Sequence, residues 1–140
     1  MALYIYESTG DPASAFSTEG NMSNPIRFAL DGRSGGSQEQ RYWLRNDNGA
    51  KTYTDIQIHP VSLGGRNIVD GIDGYSWKLR VGNTQPTASE WSAITAGVAI
   101  DFDDISDTDY HAFWLKIEIP AGAEVTSYDQ ATLRITATET

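Results

Sequence analysis

The densest run of groups able to do chemistry is DFDDISDTDY, residues 101–110, which supplies Asp101, Asp103, Asp104, Asp107 and Asp109. Hard cations such as calcium take six to eight oxygen ligands, so a loop this rich in carboxylates can in principle wrap one. The spacing is not that of an EF-hand, since the required glycine and the terminal bidentate glutamate are missing. A solvated acidic loop between two strands is the simpler reading, and neither a metal nor another cofactor is expected. Asp70 and Asp73, in VDGIDG, read in the same way as turn formers. The two histidines, His59 and His111, belong to no H-x-H or H-E-x-x-H pattern and read as strand-end residues. There is no cysteine, which removes thiolate catalysis, thiolate metal sites and disulfides together. No G-x-S-x-G or dinucleotide fingerprint occurs, and DGRSGGS lacks the strand-to-helix setting of a phosphate loop. The chain is therefore not expected to be an enzyme, although the paired carboxylates of a glycosidase need no sequence motif.

The aromatic residues carry more information. In EQRYWLRND, residues 39–47, strand alternation puts Tyr42 and Leu44 on one face and Arg41, Trp43 and Arg45 on the other. Trp114 likewise falls with Lys116 and Glu118, opposite the apolar stripe of Phe113, Leu115, Ile117 and Ile119. Two tryptophans thus sit on nominally outward faces. Four coverings are open to them: a loop of the same chain, an arginine stacked on the ring, a protein interface in which Trp, Tyr and Arg act as anchors, or a sugar ring.

The elements that position these residues are almost all strands, because the apolar period is two. Leu3 to Tyr6 forms a short strand, followed by the small, polar stretch STGDPASAFSTEGNMSNP. Ile26, Phe28 and Leu30 alternate, a glycine-rich turn leads into the Trp43 strand, and Asn48-Gly49 reads as a hairpin turn. Ile56 and Ile58 define the next strand, which Pro60 is expected to end, and a further short strand is expected at Asn67 to Val69. Tyr75, Trp77, Leu79 and Val81 line another strand; Val98, Ile100 and Phe102 resume the alternation, and Leu133, Ile135 and Ala137 finish it. Thr87 and Glu90 match a capping box, giving the single helical turn expected. Seven to eight strands of this kind predict an all-β, antiparallel β-sandwich, immunoglobulin-like or jelly-roll-like, with residues 1–25 as an N-terminal strand and arm and 26–140 as the sandwich. The expected core is Phe28, Leu30, Tyr42, Leu44, Ile56, Ile58, Trp77, Leu79, Ile100, Phe102, Phe113, Leu115, Ile117 and Leu133.

Length and charge set the remaining bounds. A chain of 140 residues suits one domain with its own core. The net charge of −9 and the absence of a long basic run argue against a nucleic-acid partner. No stretch approaches the roughly 18 consecutive apolar residues of a membrane span, so no membrane partner is expected. MALYIYESTG has neither the basic nor the long apolar region of a secretory signal, which points to synthesis in a cytoplasm. It also weighs against a secreted carbohydrate-binding or adhesion module.

Two segments, YWLRNDNGAKTYTDIQI (42–58) and FWLKIEIPAGAEVTSYDQATLRITA (113–137), carry a resemblance. The R-N-D turn followed by an I-x-I strand, then an F-W strand ending in P-x-G and a final L-x-I strand, resembles immunoglobulin-like sandwich modules of tailed-phage virion proteins. The resemblance covers about a third of the chain and implies a structural role on the virion. The expectation is a capsid decoration or cement protein that contacts the major capsid protein or other virion proteins and forms a homo-oligomer on the particle. A carbohydrate-binding or adhesion module and a tail or neck accessory protein are the alternatives. The expected contact residues are Arg41, Trp43, Arg45 and Trp114, with Leu3, Tyr4, Ile5 and Tyr6 as an edge for strand pairing.

Overall fold

A computed structural model of the chain describes residues 2–6, 26–27, 36–61, 76–95, 98–106, 109–119 and 130–140. Phe28, Leu30, residues 7–25, the glycine turn at 31–35, the expected strand at Asn67 to Val69, Asp70, Asp73 and Asp107 lie outside the described residues.

Period-two sequences become strands, and two sheets share the apolar sides. One sheet has the order β1-β3-β8-β5-β6, built from β1 (Leu3–Tyr6), β3 (Gly36–Asn46), β8 (Tyr110–Ile119), β5 (Ser76–Val81) and β6 (Ser92–Ala93). The other has the order β2-β9-β4-β7, from β2 (Ile26–Arg27), β9 (Gln130–Glu139), β4 (Tyr53–Val61) and β7 (Ile100–Asp101). Every pairing is antiparallel. The protein is an all-β antiparallel sandwich, with no helix among the described residues. Nine strands fall among the described residues, against the seven or eight expected, and three of them are only two residues long.

The core takes side chains from both sheets: Leu44, Trp77, Leu79, Phe113, Leu115 and Ile117 from the first meet Ile56, Ile58, Leu133 and Ile135 from the second. At about 1.5–3 kcal/mol for each large side chain fully buried, this cluster is the main force holding the sheets together. Tyr42 and Phe113, paired across β3 and β8, have ring centroids 5.8 Å apart, and Phe102 meets Phe113 edge-on at 6.1 Å. Ile100, expected inside, is only partly buried against this cluster.

Four local expectations are corrected. Leu3 to Tyr6 is a strand of the first sheet, in register from Leu3 opposite Asn46 to Tyr6 opposite Trp43, so it is part of the sandwich and not of a separate arm. Asn48-Gly49 does not close a hairpin, because β3 and β4 belong to different sheets. The side chain of Asn46 donates to the carbonyl of Lys51 and accepts from the N–H of Asn48, which turns the chain from one layer to the other. Pro60 does not end its strand: β4 continues to Val61 with Pro60 opposite Leu133. Among the described residues β7 accompanies β4 only at Gln57 and Ile58, so no described strand pairs with that side of β4 at Pro60, where a missing N–H is tolerated. The segment at Thr87 to Glu90 is a turn and not a helix. Its capping contacts still form, with the Glu90 carboxylate accepting from both the backbone N–H and the hydroxyl of Thr87 at 2.9 Å.

Candidate functional site: a cationic and aromatic sheet face

The register of β1, β3, β8 and β5 fixes what the outer face of the first sheet presents. Arg41 lies beside Trp114, which lies beside Arg80. One step along, Tyr6 lies beside Trp43; one step the other way, Glu39, Lys116 and Lys78 stand in line. Arg45 is flanked by Tyr4 and Tyr110. Five of the ten Lys and Arg residues of the chain, namely Arg41, Arg45, Lys78, Arg80 and Lys116, therefore share one face of a protein with net charge −9.

The cations are stacked on the rings. The Arg41 guanidinium lies 4.9 Å from the Trp43 ring centroid and 5.9 Å from that of Trp114, and Arg45 lies 4.2 Å from Tyr6 and 5.5 Å from Tyr110. Such contacts contribute about 0.5–1 kcal/mol each where exposed, and they also fix long side chains in place. The segment after β5 folds back over part of this face. Asn83 accepts from Arg41 through its side chain at 2.9 Å and from Trp114 Nε1 through its carbonyl at 3.1 Å, while Gln85 donates to Glu39 at 2.6 Å. Trp91, from the same segment, is buried beneath Lys116 with 5.7 Å between ammonium and ring centroid. A loop of the same chain and stacked arginines thus both cover the tryptophans in part, leaving Trp43 and Trp114 half-buried and Arg41 exposed.

Of the expected edge residues, only Tyr4 presents surface, at 37% exposure. Leu3 and Ile5 are 0% exposed as whole residues and belong to the core, so they offer a partner neither side chain nor free backbone edge. Tyr6 points outward by alternation yet is buried, because Arg45 lies over its ring and its hydroxyl donates to Asp47, which Arg45 also engages. Burial, followed by the Asp47 hydrogen bond and charge, pushes the Tyr6 phenol up to about 12. Its folded value exceeds the ordinary 10.0, so its contribution to stability is complete below about pH 10 and is lost as pH rises towards 12. Burial raises the Tyr53 phenol as well, so an absorbance titration should show late tyrosine ionisation of which Tyr6→Phe removes one equivalent; an unchanged titration in that variant would refute the buried network.

The charge on the opposite side has the other sign. A cleft of about 280 Å³ beside β4 and β7 is lined by Asp55, Ile56, Gln57, Asp101, Phe102 and Asp104. Among the described residues, no group of three or more His, Asp or Glu side chains converges as metal ligands would. His111 stands at the end of β8 with Asp103 at 3.6 Å and Asp109 at 3.5 Å, and it meets Phe102 edge-on. His59 Nε2 lies 2.9 Å from the hydroxyl of Thr136, but no carboxylate orients its other nitrogen among the described residues. Among the described residues neither histidine is joined by both a nucleophile and an orienting carboxylate.

The sequence places Arg41, Trp43 and Arg45 on one strand face and Trp114 on an outward face of another strand, but does not single out Tyr110, Lys78, Arg80 or Trp91. The signal for the first three was the strand alternation itself, once β3, β8 and β5 are known to be neighbours. Comparison with protein-family models, curated proteins and solved structures finds no match.

Proposed function

We propose that the protein is a non-enzymatic structural component of a phage virion, a capsid decoration protein that docks on assembled shell proteins through the outer face of the five-stranded sheet. The observation that carries this reading is the exposed Arg41, half-buried Trp43 and half-buried Trp114, held rigid by cation–π contacts and by Asn83. Arg and Trp anchors with immobilised side chains lose little further entropy on binding, which is what a docking surface needs. The resemblance of 42–58 and 113–137 to virion sandwich modules points to the major capsid protein or other virion proteins as the partner. The mechanism is linkage: a ligand that binds only the assembled shell stabilises it by mass action, and repeated copies on a symmetric particle add avidity.

The alternative of a carbohydrate-binding module is weakened by the same geometry. Arg41 lies over both Trp43 and Trp114, so a sugar stacking on either ring competes with that guanidinium for the side it occupies. The test is co-sedimentation with purified shells. Wild type is expected to pellet with shells and raise their melting temperature, and the double variant Arg41→Ala, Trp43→Ala to bind at least about tenfold more weakly, as loss of an anchor pair implies. No binding to shells, or a glycan affinity abolished by Trp43→Ala, would overturn the reading.

A further inference from the structure

We propose that the outer face of the five-stranded sheet binds an extended, carboxylate-rich polypeptide segment, seated over Arg41, Trp114, Arg80 and Lys78. The proposal rests on the reading of this face as the docking surface and names the chemistry of the partner.

The five cations of the face divide into two groups. Arg45 is paired with Asp47, and Lys116 with Glu118 at 2.7 Å and Glu39 at 3.7 Å. Of the other three, Arg41 and Lys78 have no carboxylate partner among the described residues, and Arg80 has only that of Glu90, which acts on it through charge and not in an ion pair. Arg41 donates to the neutral side chain of Asn83, Arg80 reaches the backbone carbonyl of Glu90 at 3.4 Å, and Lys78 has no side-chain hydrogen bond or ion pair among the described residues. These three are neighbours. Arg41 and Arg80 flank Trp114 in register, with backbones about 10 Å apart at the usual strand spacing. Lys78 and Arg80 are alternate residues of one strand, so their charges repeat at about 6.7 Å, the spacing of alternate side chains on an extended peptide.

Trp91, from the segment that follows β5, lies beneath Lys116, and its Nε1 is a buried side-chain donor without an acceptor among the described residues. Planar guanidinium groups favour bidentate carboxylates, and an acidic segment supplies acceptors where this face has donors in excess.

The same geometry disfavours a nucleic acid. Single strands bind by stacking bases on free aromatic faces. Here Arg41 lies over Trp43 and Trp114 and Lys116 over Trp91, so cations of the chain already occupy the approach a stacked base would use.

The experiment titrates the full chain with a synthetic oligoglutamate at low salt, read by tryptophan fluorescence and calorimetry, beside oligoglutamine, inorganic polyphosphate and a single-stranded oligonucleotide. Oligoglutamate is expected to bind and oligoglutamine not to. The double variant Lys78→Glu, Arg80→Glu should weaken binding by about tenfold or more, as removal of two charge-assisted contacts implies. The milder Lys78→Gln, Arg80→Gln should lose part of that if the charge reversal fails to fold. Arg134→Glu, on the exposed outer side of β9, should leave affinity unchanged. Absence of oligoglutamate binding, an equal loss in Arg134→Glu, or tighter binding of polyphosphate or the oligonucleotide would overturn the proposal. Shell binding without oligoglutamate binding defeats the partner chemistry alone, whereas oligoglutamate binding without shell binding defeats the docking reading alone.

Discussion

Phe113→Ala is expected to destabilise the protein by about 3–5 kcal/mol, a large part of the roughly 5–15 kcal/mol that holds a domain of this size. Phe113 is fully buried on β8, the strand with β3 on one side and β5 on the other. Its ring touches Tyr42 within its own sheet and meets Phe102 from the segment after β7, so it joins the two layers. Truncation removes the transfer free energy of a phenyl group and leaves a cavity that central strands, pinned on both edges, cannot close. Phe113→Leu fills most of the space and should cost markedly less, about 1–2 kcal/mol. Urea denaturation checks both: the midpoint should fall while the slope stays constant, because the surface exposed on unfolding is unchanged. A loss below 1 kcal/mol for Phe113→Ala would show that the sheets do not pack through this ring.

The parts of the sandwich that follow strict alternation were legible in the sequence. Tyr42, Leu44, Trp77, Leu79, Phe113, Leu115 and Ile117 are buried as the period of two requires. What escaped the pattern did so for definite reasons. Tyr53 is fully buried although it lies three residues before Ile56, a separation that alternation sends to opposite faces. Between Thr54 and Gln57 the register shifts, with Asp55 at a φ of 50° in the left-handed region, and this bulge brings both residues to the core. Ile94 and Ile105 are buried outside the regular strands, where no period announces them. Val98, read as a resumption of alternation, is 54% exposed because β7 begins only at Ile100.

The candidate site shows the same division between what one strand encodes and what only the order of strands reveals. Arg41, Trp43 and Arg45 are neighbours along one strand and so were visible together. Their relation to Trp114, Arg80 and Tyr6 depends on β8 lying between β3 and β5, and on β1 joining the far edge. Tyr6 adds a second lesson. Its position on the outer face is a matter of alternation, but its burial comes from Arg45 and Asp47, charged groups that a hydrophobic pattern counts as surface. Long cationic side chains laid over aromatic rings give this face its fixed shape.

Asn46→Ala is expected to cost about 1–3 kcal/mol, because it removes the partner of two part-buried backbone groups at once. Asn46 is 0% exposed, and its amide is used on both sides: Nδ2 donates to the Lys51 carbonyl at 2.7 Å and Oδ1 accepts from the Asn48 N–H at 2.8 Å. These two contacts turn the chain between the layers just where Ala2 accepts from the Asp47 N–H and Asp109 accepts from the Asn46 N–H, so the corner also fixes the ends of β1 and β8. Asn46→Asp makes a sharper test. It keeps the acceptor for Asn48 but sets a carboxylate oxygen against the Lys51 carbonyl, and only the protonated acid can donate there. The folded value of that carboxyl is therefore raised above its unfolded value of about 3.9, so its stabilising hydrogen bond is complete below the unfolded value and is lost as pH rises through the folded one. The deficit of Asn46→Asp relative to wild type, measured by urea denaturation, should thus be smaller near pH 4 than near pH 7. The deficit of Asn46→Ala should be the same at both. A pH-independent deficit for Asn46→Asp would mean that Lys51 has found another donor and that the Asn46 amide does not hold the corner.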